Sequence, residues 1–367
     1  MMTREEYTKS IEMLNIYTEA YDKGTPIISD REWDDLYFKC EAYEEETGYR
    51  DPKSPTSTIQ YDVKTNLSKK THDHPMLSLD KTREIAVLKK WLKEPTIVML
   101  KMDGLTCSLR YENGKLISAE TRGNGRVGED ITANAMRLPS IPKTIKCKDT
   151  IVVDGEVICT FKDFEEFSDS YKNPRNFAAG SINLDDPNEC EKRKLTFVAW
   201  DLITGNEDLS TKLDMLKKYG FVVVDYQITD NDNLETQQNE MKSIAAKKSY
   251  PIDGLVYKIN NHKSYMDKGY DDHAFKGGFA FKFTDVEYET ELTGIEWSVA
   301  KTGTITPVAL FKTVKIDGAS ISRASMHNLT VMKNLLGEHP YVGQKIWVIR
   351  ANMVIPQVKR AEKNTII

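Results

Sequence analysis

The sequence predicts an α+β multidomain protein with an N-terminal helical hairpin, a central domain of mixed strands and helices, and a C-terminal small β-barrel. Three observations lead there. Tyr7, Ile11, Leu14, Tyr17 and Tyr21 recur at the three- and four-residue steps of one helix face. Beyond a polar stretch, residues 51–71, strand-like runs begin to alternate with helical ones. From about residue 285 the chain is almost wholly short β-type runs punctuated by glycine and proline, which is a barrel pattern. A length of 367 residues accommodates two or three domains, each with its own core.

Composition narrows the class. With 40% hydrophobic and 29% charged residues and no low-complexity tract, the chain reads as soluble and globular. No run approaches the ~20 apolar residues of a membrane span, and Met-Met-Thr-Arg-Glu-Glu lacks the apolar core of a signal peptide, so the expected location is cytoplasmic and no membrane partner is expected. Cys40, Cys107, Cys147, Cys159 and Cys190 are odd in number and scattered, which suits a reducing compartment and leaves no spacing for structural zinc. A net charge of −5 argues against non-specific nucleic-acid binding by the whole surface but leaves room for a local basic groove.

In chain order, Thr3 and Glu6 form a capping box ahead of the first helix, and Ser29 and Glu32 a second, ahead of a helix burying Trp33, Leu36, Tyr37 and Cys40. Residues 51–71, with Pro52, Pro55 and several Ser and Thr, read as a linker. Asn113-Gly114 between two β-type runs is a two-residue hairpin signal. Gly123-Asn124-Gly125 and Gly128-Glu129-Asp130 form a flexible turn leading to a short helix; such backbone either simply turns or passes close to a phosphate or sugar. Residues 151–160 make a strand with Asp154 and Glu156 on one face, and residues 195–202 another, in which alternation sets Trp200 opposite Ala199. Asn173-Pro174-Arg175-Asn176 interrupts the pattern between them, and residues 210–220 read as a capped helix.

Three lysines lie in apolar strands. Lys101, in Leu100-Lys101-Met102-Asp103-Gly104, shares a face with Met99 and Asp103, while Lys258 and Lys282 face away from the bulkiest neighbours on their strands. One lysine of this kind suits a solvated sheet face; three suggest a cationic phosphate pocket containing a nucleophile. Lys301, Lys312, Lys315, Arg323, Lys345, Arg350, Lys359 and Arg360 make the C-terminal region locally basic, a footprint for backbone phosphates or scattered solubilising charge. The OB-fold is one barrel that matches this region.

Taken in order, these pieces resemble the NAD-dependent DNA ligases. The likeness runs through Ile28-Ser29-Asp30-Arg31-Glu32-Trp33-Asp34, His74-Pro75-Met76-Leu77-Ser78-Leu79-Asp80, Leu100-Lys101-Met102-Asp103-Gly104 and Thr121-Arg122-Gly123-Asn124-Gly125. It continues through Asn173-Pro174-Arg175-Asn176, Ile252-Asp253-Gly254, Phe281-Lys282-Phe283, Thr302-Gly303, Pro307-Val308-Ala309 and Val354-Ile355-Pro356-Gln357-Val358. A lone Lys-x-Asp-Gly is weak, but the ordered series is specific.

The resemblance implies three domains: a helical unit recognising nicotinamide mononucleotide, with its linker, at 1–66; a nucleotidyltransferase (adenylation) domain at 67–284; and an OB-fold at 285–367. It implies nick sealing through an adenylate on Lys101, with nicked duplex DNA as partner and NAD and Mg²⁺ (or Mn²⁺) as cofactors. Lys258 and Lys282 would neutralise phosphate and hold Lys101 unprotonated. Glu156, with Asp103 nearby, would hold ribose hydroxyls or a metal. Trp200 would stack on adenine beside Ser78 and Leu79, while Arg122 and Glu129 would contact ribose. Tyr21, Asp30, Trp33 and Asp34 would hold the nicotinamide half, and Arg175, Lys301, Arg323 and Arg350 would meet DNA.

This chain departs from the family pattern at several positions. Met99 stands where a glutamate is usual, Asn124 for an aspartate, Asp154 for an arginine, Trp33 and Trp200 for tyrosines, and Asn183 for an arginine. Tyr21-Asp22 replaces a Tyr-His pair, and Lys247 or Lys248 an arginine at shifted spacing. No zinc module, helix-hairpin-helix repeat or BRCT domain is visible, so the chain is expected to be a compact ligase, a fragment, or one subunit whose partner supplies the remainder. Two other readings share its signals: a DNA-binding subunit that keeps the fold without sealing, and an ATP- or GTP-using nucleotidyltransferase.

Overall fold

The structure is a computed structural model that describes residues 2–22, 27–28, 30–56, 67–167, 171, 173–229, 233–271, 274–283, 287–299, 305–316, 319–326, 328–351 and 355–362. Helix α1 (Arg4–Asp22) opens with the expected capping box, Thr3 N donating to Glu6 Oε2 at 2.7 Å and Glu6 N to Thr3 Oγ1 at 3.2 Å. These bonds satisfy donors that a helix start otherwise leaves orphaned. Helix α2 (Asp30–Thr47) packs on α1 through buried Tyr7, Ile11, Leu14 and Cys40, with Trp33, Leu36 and Tyr37 half-buried at the margin. The second capping box begins on Ser29, outside the described residues.

Of the stretch read as a linker, residues 57–66 lie outside the described residues, and its two ends do more than link. Ser54 and Thr56 are buried and donate to Glu44, whose carboxylate also accepts from Tyr7 Oη at 2.7 Å. A buried carboxylate requires such donors. Lys69–Thr71 then forms a strand, β1.

The central domain continues with β2 (Ser78–Thr82), α3 (Ile85–Trp91), β3 (Thr96–Met102), β4 (Leu105–Glu112), β5 (Lys115–Thr121), β6 (Val127–Glu129), α4 (Thr132–Ala135) and β7 (Ile151–Ile158). After these come α5 (Phe161–Phe164), α6 (Pro174–Ile182), α7 (Pro187–Glu191), β8 (Thr196–Leu202), α8 (Leu209–Lys218) and β9 (Tyr226–Thr229). It closes with α9 (Leu234–Lys248), β10 (Ile252–Ile259), α10 (His262–Asp267) and β11 (Ala274–Lys282). A five-stranded sheet, β2-β11-β10-β3-β9, faces a four-stranded one, β5-β4-β7-β8, while β1 pairs with β6. The chain crosses between the two sheets at Asp103-Gly104, where a Cβ on Gly104 would lie 2.2 Å from Val157 O. Only glycine fits there.

Several local readings hold and others change. Asn113 and Gly114 have φ of 51° and 77°, the left-handed pair that a tight hairpin needs. The strand read at 151–160 stops at Ile158, because Thr160 turns to cap α5 and accepts from Asp163 N. Asn173 likewise caps α6, with Pro174 at its first turn, so the apparent interruption is a helix start. The glycine turn is closed rather than flexible. Asn124 Oδ1 accepts from Arg126 N and Val127 N at 3.0 and 2.8 Å, and β6 follows immediately.

The C-terminal region contains β12 (Tyr288–Val299), β13 (Ile305–Ile316), β14 (Ala319–Ser325), α11 (Leu329–Leu336), β15 (Lys345–Ala351) and β16 (Ile355–Ala361). Its sheet order is β14-β13-β12-β15-β16, and the outer strands β14 and β16 approach each other around a core of Leu292, Phe311, Ile346 and Val348. Among the described residues no helix is long and apolar enough to cross a membrane.

Candidate active site between the two central sheets

Antiparallel register aligns side chains across β3, β10 and β11 in rows. Lys101, Gly254 and Lys282 form one; Met99, Val256 and Ala280 the next; Ile97, Lys258 and Gly278 the third. Residues directly opposite share a face, so the three sequence-predicted lysines belong to one surface, interrupted by an apolar row. Met99, the residue standing for a glutamate, is 2% exposed and belongs to that row.

A β-bulge between Ile252 and Gly254 re-aims Asp253. Its Oδ2 accepts from Lys101 Nζ at 2.9 Å and lies 3.8 Å from Lys282 Nζ. Burial works against charge on Lys101, but the Asp253 carboxylate outweighs it and holds the lysine above its ordinary pKa. The two lysines in turn hold Asp253 below the ordinary carboxylate value despite its burial. The expectation that Lys258 and Lys282 keep Lys101 unprotonated is therefore overturned, because the nearest charge is negative and Lys258 is engaged by Asp201.

The facing sheet supplies Glu156, and the crossing into it supplies Asp103. Glu156 Oε2 accepts from Thr106 Oγ1 at 3.0 Å, and burial pushes its carboxyl up to about 7 against the pull of Arg175 and Lys101. Asp103 accepts from Arg175 Nη1 at 2.8 Å. Arg175 thus sits at this site through the capped start of α6. Trp200 is the extra residue of a second bulge, since Asp154 opposes Asp201 while Gly155 opposes Ala199. Simple alternation does not apply there, yet the indole still faces the lysine surface, 5.2 Å from Lys258 Nζ.

Arg122 donates to Met76 O and to Ser78 Oγ, both at 2.9 Å. Leu79 reaches Gly278, where a Cβ would lie 2.7 Å from its Cδ2. Glu129 is buried in β6 and accepts from Thr121 Oγ1 at 2.8 Å, its Oε1 having no hydrogen-bond partner among the described residues. Trp33 donates to Thr18 Oγ1 at 3.0 Å and stacks on Tyr37. Arg323 is exposed and paired with Glu296 at 3.0 Å. The side chains of Tyr21, Asp30, Asp34 and Arg350, and Lys301 altogether, lie outside the described residues.

Of the other departures, Asn183 caps α6 by donating to Ala179 O, and Lys248 pairs with Asp225 at 2.8 Å. Asp253, Asp201, His74 and Tyr265 are site neighbours that the sequence did not single out. Asp253 carried a signal, lying inside a quoted motif. Asp201 had none, because its partner Lys258 is 57 residues away on another sheet.

Comparison with known proteins gives matches to two family models: the NAD-dependent DNA ligase adenylation domain over residues 64–286 and the NAD-dependent DNA ligase OB-fold domain over 289–365. The chain is 36% identical over 370 residues to a DNA ligase of Lachnoclostridium phytofermentans, covering 97% of this chain and 56% of that protein. It is 37% identical over 363 residues to one of Ruminiclostridium cellulolyticum, covering 95% and 55%. A DNA ligase of Campylobacter concisus is 34% identical over 384 residues, covering 99% and 59%. The chain therefore spans between 55% and 59% of the length of these relatives.

Proposed function

The chain belongs to the NAD-dependent DNA ligase family, and from that premise we propose that it seals 5′-phosphate/3′-hydroxyl nicks in duplex DNA through an adenylate on Lys101. The observation that carries this reading is the row Lys101–Gly254–Lys282 with Asp253 between its two amines, opposite Glu156 and the Arg175–Asp103 pair. It supports phosphoryl transfer because a nucleophile, cations for developing charge and a buried acid converge.

In the first step, neutral Lys101 Nζ attacks the phosphorus of the AMP half of NAD. A P–N bond forms, the P–O bond breaks, and nicotinamide mononucleotide leaves with the electron pair. An oxygen of the nick's 5′-phosphate then attacks the same phosphorus and returns the lysine amine. Last, the 3′-hydroxyl gives up its proton to solvent and attacks the 5′-phosphorus, a new P–O bond forming as the P–O bond to AMP breaks and AMP departs with the electron pair. In this reading Lys282 meets phosphate, Trp200 stacks on adenine near Lys258, Ser78 and Leu79, and Arg122, Glu129 and Glu156 serve the ribose.

The hairpin, through Tyr21, Asp30, Trp33 and Asp34, takes the nicotinamide half, and Arg175, Lys301, Arg323 and Arg350 meet DNA. The corresponding units are 1–66, 67–284 and 285–367. Glu156, beside Asp103, would be the protein donor to Mg²⁺ at this site. Among the described residues no group of three or more His, Cys, Asp or Glu forms a cage. When bound, such a cation would offset phosphate charge.

Intact mass after incubation with NAD, ATP or GTP tests the proposal. One adenylate from NAD alone, absent in Lys101→Ala, followed by sealing of a nicked duplex, is expected. No adduct with any nucleotide would leave a DNA-binding subunit, and an adduct from ATP or GTP a different nucleotidyltransferase.

A further inference from the structure

Lys258 stands in the third row of the sheet, beyond the apolar row of Met99, Val256 and Ala280. Along β10 it is about 13 Å, at the usual strand rise, from Gly254, the row partner of Lys101 and Lys282. The expectation that this lysine neutralises phosphate beside Lys101 therefore gives way. It borders Trp200, 5.2 Å from the ring centroid, and Leu79, since a Cβ on Gly278 would lie 2.7 Å from Leu79 Cδ2 and 3.4 Å from Lys258 Cγ. That is where the proposed reading puts the adenine ring.

A carboxylate lies at the same place. Lys258 Nζ is ion-paired with Asp201 Oδ2, and the two residues are 5% and 8% exposed. Asp201 Oδ1 accepts from no donor among the described residues. Alternation would send Trp200 and Asp201 to opposite faces, but the bulge at Trp200 lets the indole and the carboxylate both reach Lys258. Met99, Leu79 and Gly278 bring no acid to this side. Asp154, in register with Asp201, gives Oδ2 to His74 at 2.8 Å, and its Oδ1 is sealed from solvent.

Stacking on an indole binds any purine, because every base has a π-face; identity is read at the polar edge. There adenine presents a 6-amino donor beside the acceptor N1, whereas hypoxanthine presents a carbonyl oxygen at the same position. An ammonium only donates and a carboxylate only accepts, so a lysine alone is satisfied by either ring, and favouring the amino group takes an acceptor. We propose that Asp201 is a specificity-determining residue of the nucleotide site: its Oδ1 accepts the 6-amino group of the adenine stacked on Trp200, so that the chain selects the base of the dinucleotide. This rests on the reading of Trp200 as the adenine platform. Buried Lys212 on α8 is also close enough for Asp201 to attract its charge. Service as counter-ion to two lysines would be blind to the base, and the two roles separate on that point.

The test is single-turnover formation of the lysine adduct, read by intact mass, from NAD and from nicotinamide hypoxanthine dinucleotide, which differ at the 6-position of the purine. We expect the unaltered chain to favour NAD by about tenfold or more in kcat/KM. Asp201→Asn, whose amide also donates, and Asp201→Ser, too short to reach the ring, should both bring the ratio towards one. Equal use of the two dinucleotides by the unaltered chain overturns the proposal. So does an equal loss on both in the two variants, folded by circular dichroism, which is the signature of a counter-ion. Trp200→Ala should raise KM for both dinucleotides; an unchanged KM refutes the adenine platform and takes the proposal with it. No adduct from either dinucleotide refutes the reading of Lys101 itself.

Discussion

Asp253 accepts from Lys101 Nζ at 2.9 Å while lying 3.8 Å from Lys282 Nζ, so one carboxylate holds the two lysines that flank Gly254. This carboxylate keeps the nucleophile protonated at rest, and Lys101 must lose that proton before it can attack.

Adenylate formation is therefore expected to rise with pH, and in Asp253→Asn the rise should shift to lower pH while the maximal rate falls because Lys282 loses its neighbour. For stability the sign differs. Lys101 is raised on folding, so its pairing stabilises fully below its ordinary value of 10.5 and is lost as pH rises through the folded value. Single-turnover rates from about pH 6 to 10 check the first point; an unshifted rise in the variant refutes it.

Glu156 behaves in the opposite way to an ordinary ion-paired acid. Its folded pKa, about 7, lies above the unfolded 4.5, so the native state binds more protons between these values and stability falls as pH rises across that window. Glu156→Gln should stabilise the unliganded protein by roughly 1–3 kcal/mol at pH 8, and by less near pH 5, while reducing adenylylation. Melting temperatures of both proteins at the two pH values measure this; equal differences would contradict it.

Gly104→Ala places a Cβ 2.2 Å from Val157 O and 2.8 Å from Ile158 Cγ2, at the crossing between the two sheets. Neither the backbone carbonyl nor the packed isoleucine can withdraw without moving β7, the strand of Glu156. A loss of about 2–4 kcal/mol in a urea titration is expected, together with reduced adenylylation.

The hairpin and the central domain meet where Lys81 Nζ lies 3.7 Å from the Tyr37 ring centroid and 5.3 Å from that of Trp33. Trp33→Ala should block adenylylation by NAD yet leave sealing of a pre-adenylated nick largely intact. Parallel assays of the two steps decide; equal loss of both in a folded variant would remove the hairpin from cofactor recognition.

Basic residues of the C-terminal sheet are interleaved with acids: Lys312 with Glu291, Arg323 with Glu296, Lys345 with Glu289 and Arg360 with Glu287. Exposed pairs of this kind exchange readily with phosphate. Nick affinity should then fall steeply between low and physiological salt, and a flat salt dependence by fluorescence anisotropy would contradict it.

Much of this molecule was legible in local sequence. The capping box at Thr3 and Glu6, the left-handed Asn113-Gly114 turn, the lysine-bearing strands and the C-terminal strand run depend on neighbours within a few residues, so backbone preference and side-chain periodicity determine them. The ordered motifs also identified the family, and they assigned Lys101, Lys258 and Lys282 to strands that prove adjacent or paired through a single neighbour. Other features came only from tertiary structure. Asp253 and Trp200 are aimed by bulges, which break the alternation a sequence reading relies on. The polar stretch after Asp51 docks on a buried glutamate, and Lys258 finds Asp201 across the gap between two sheets. Protonation follows the same division: sequence names a lysine, but whether it carries its proton depends on which charges the fold brings within a few ångströms of it.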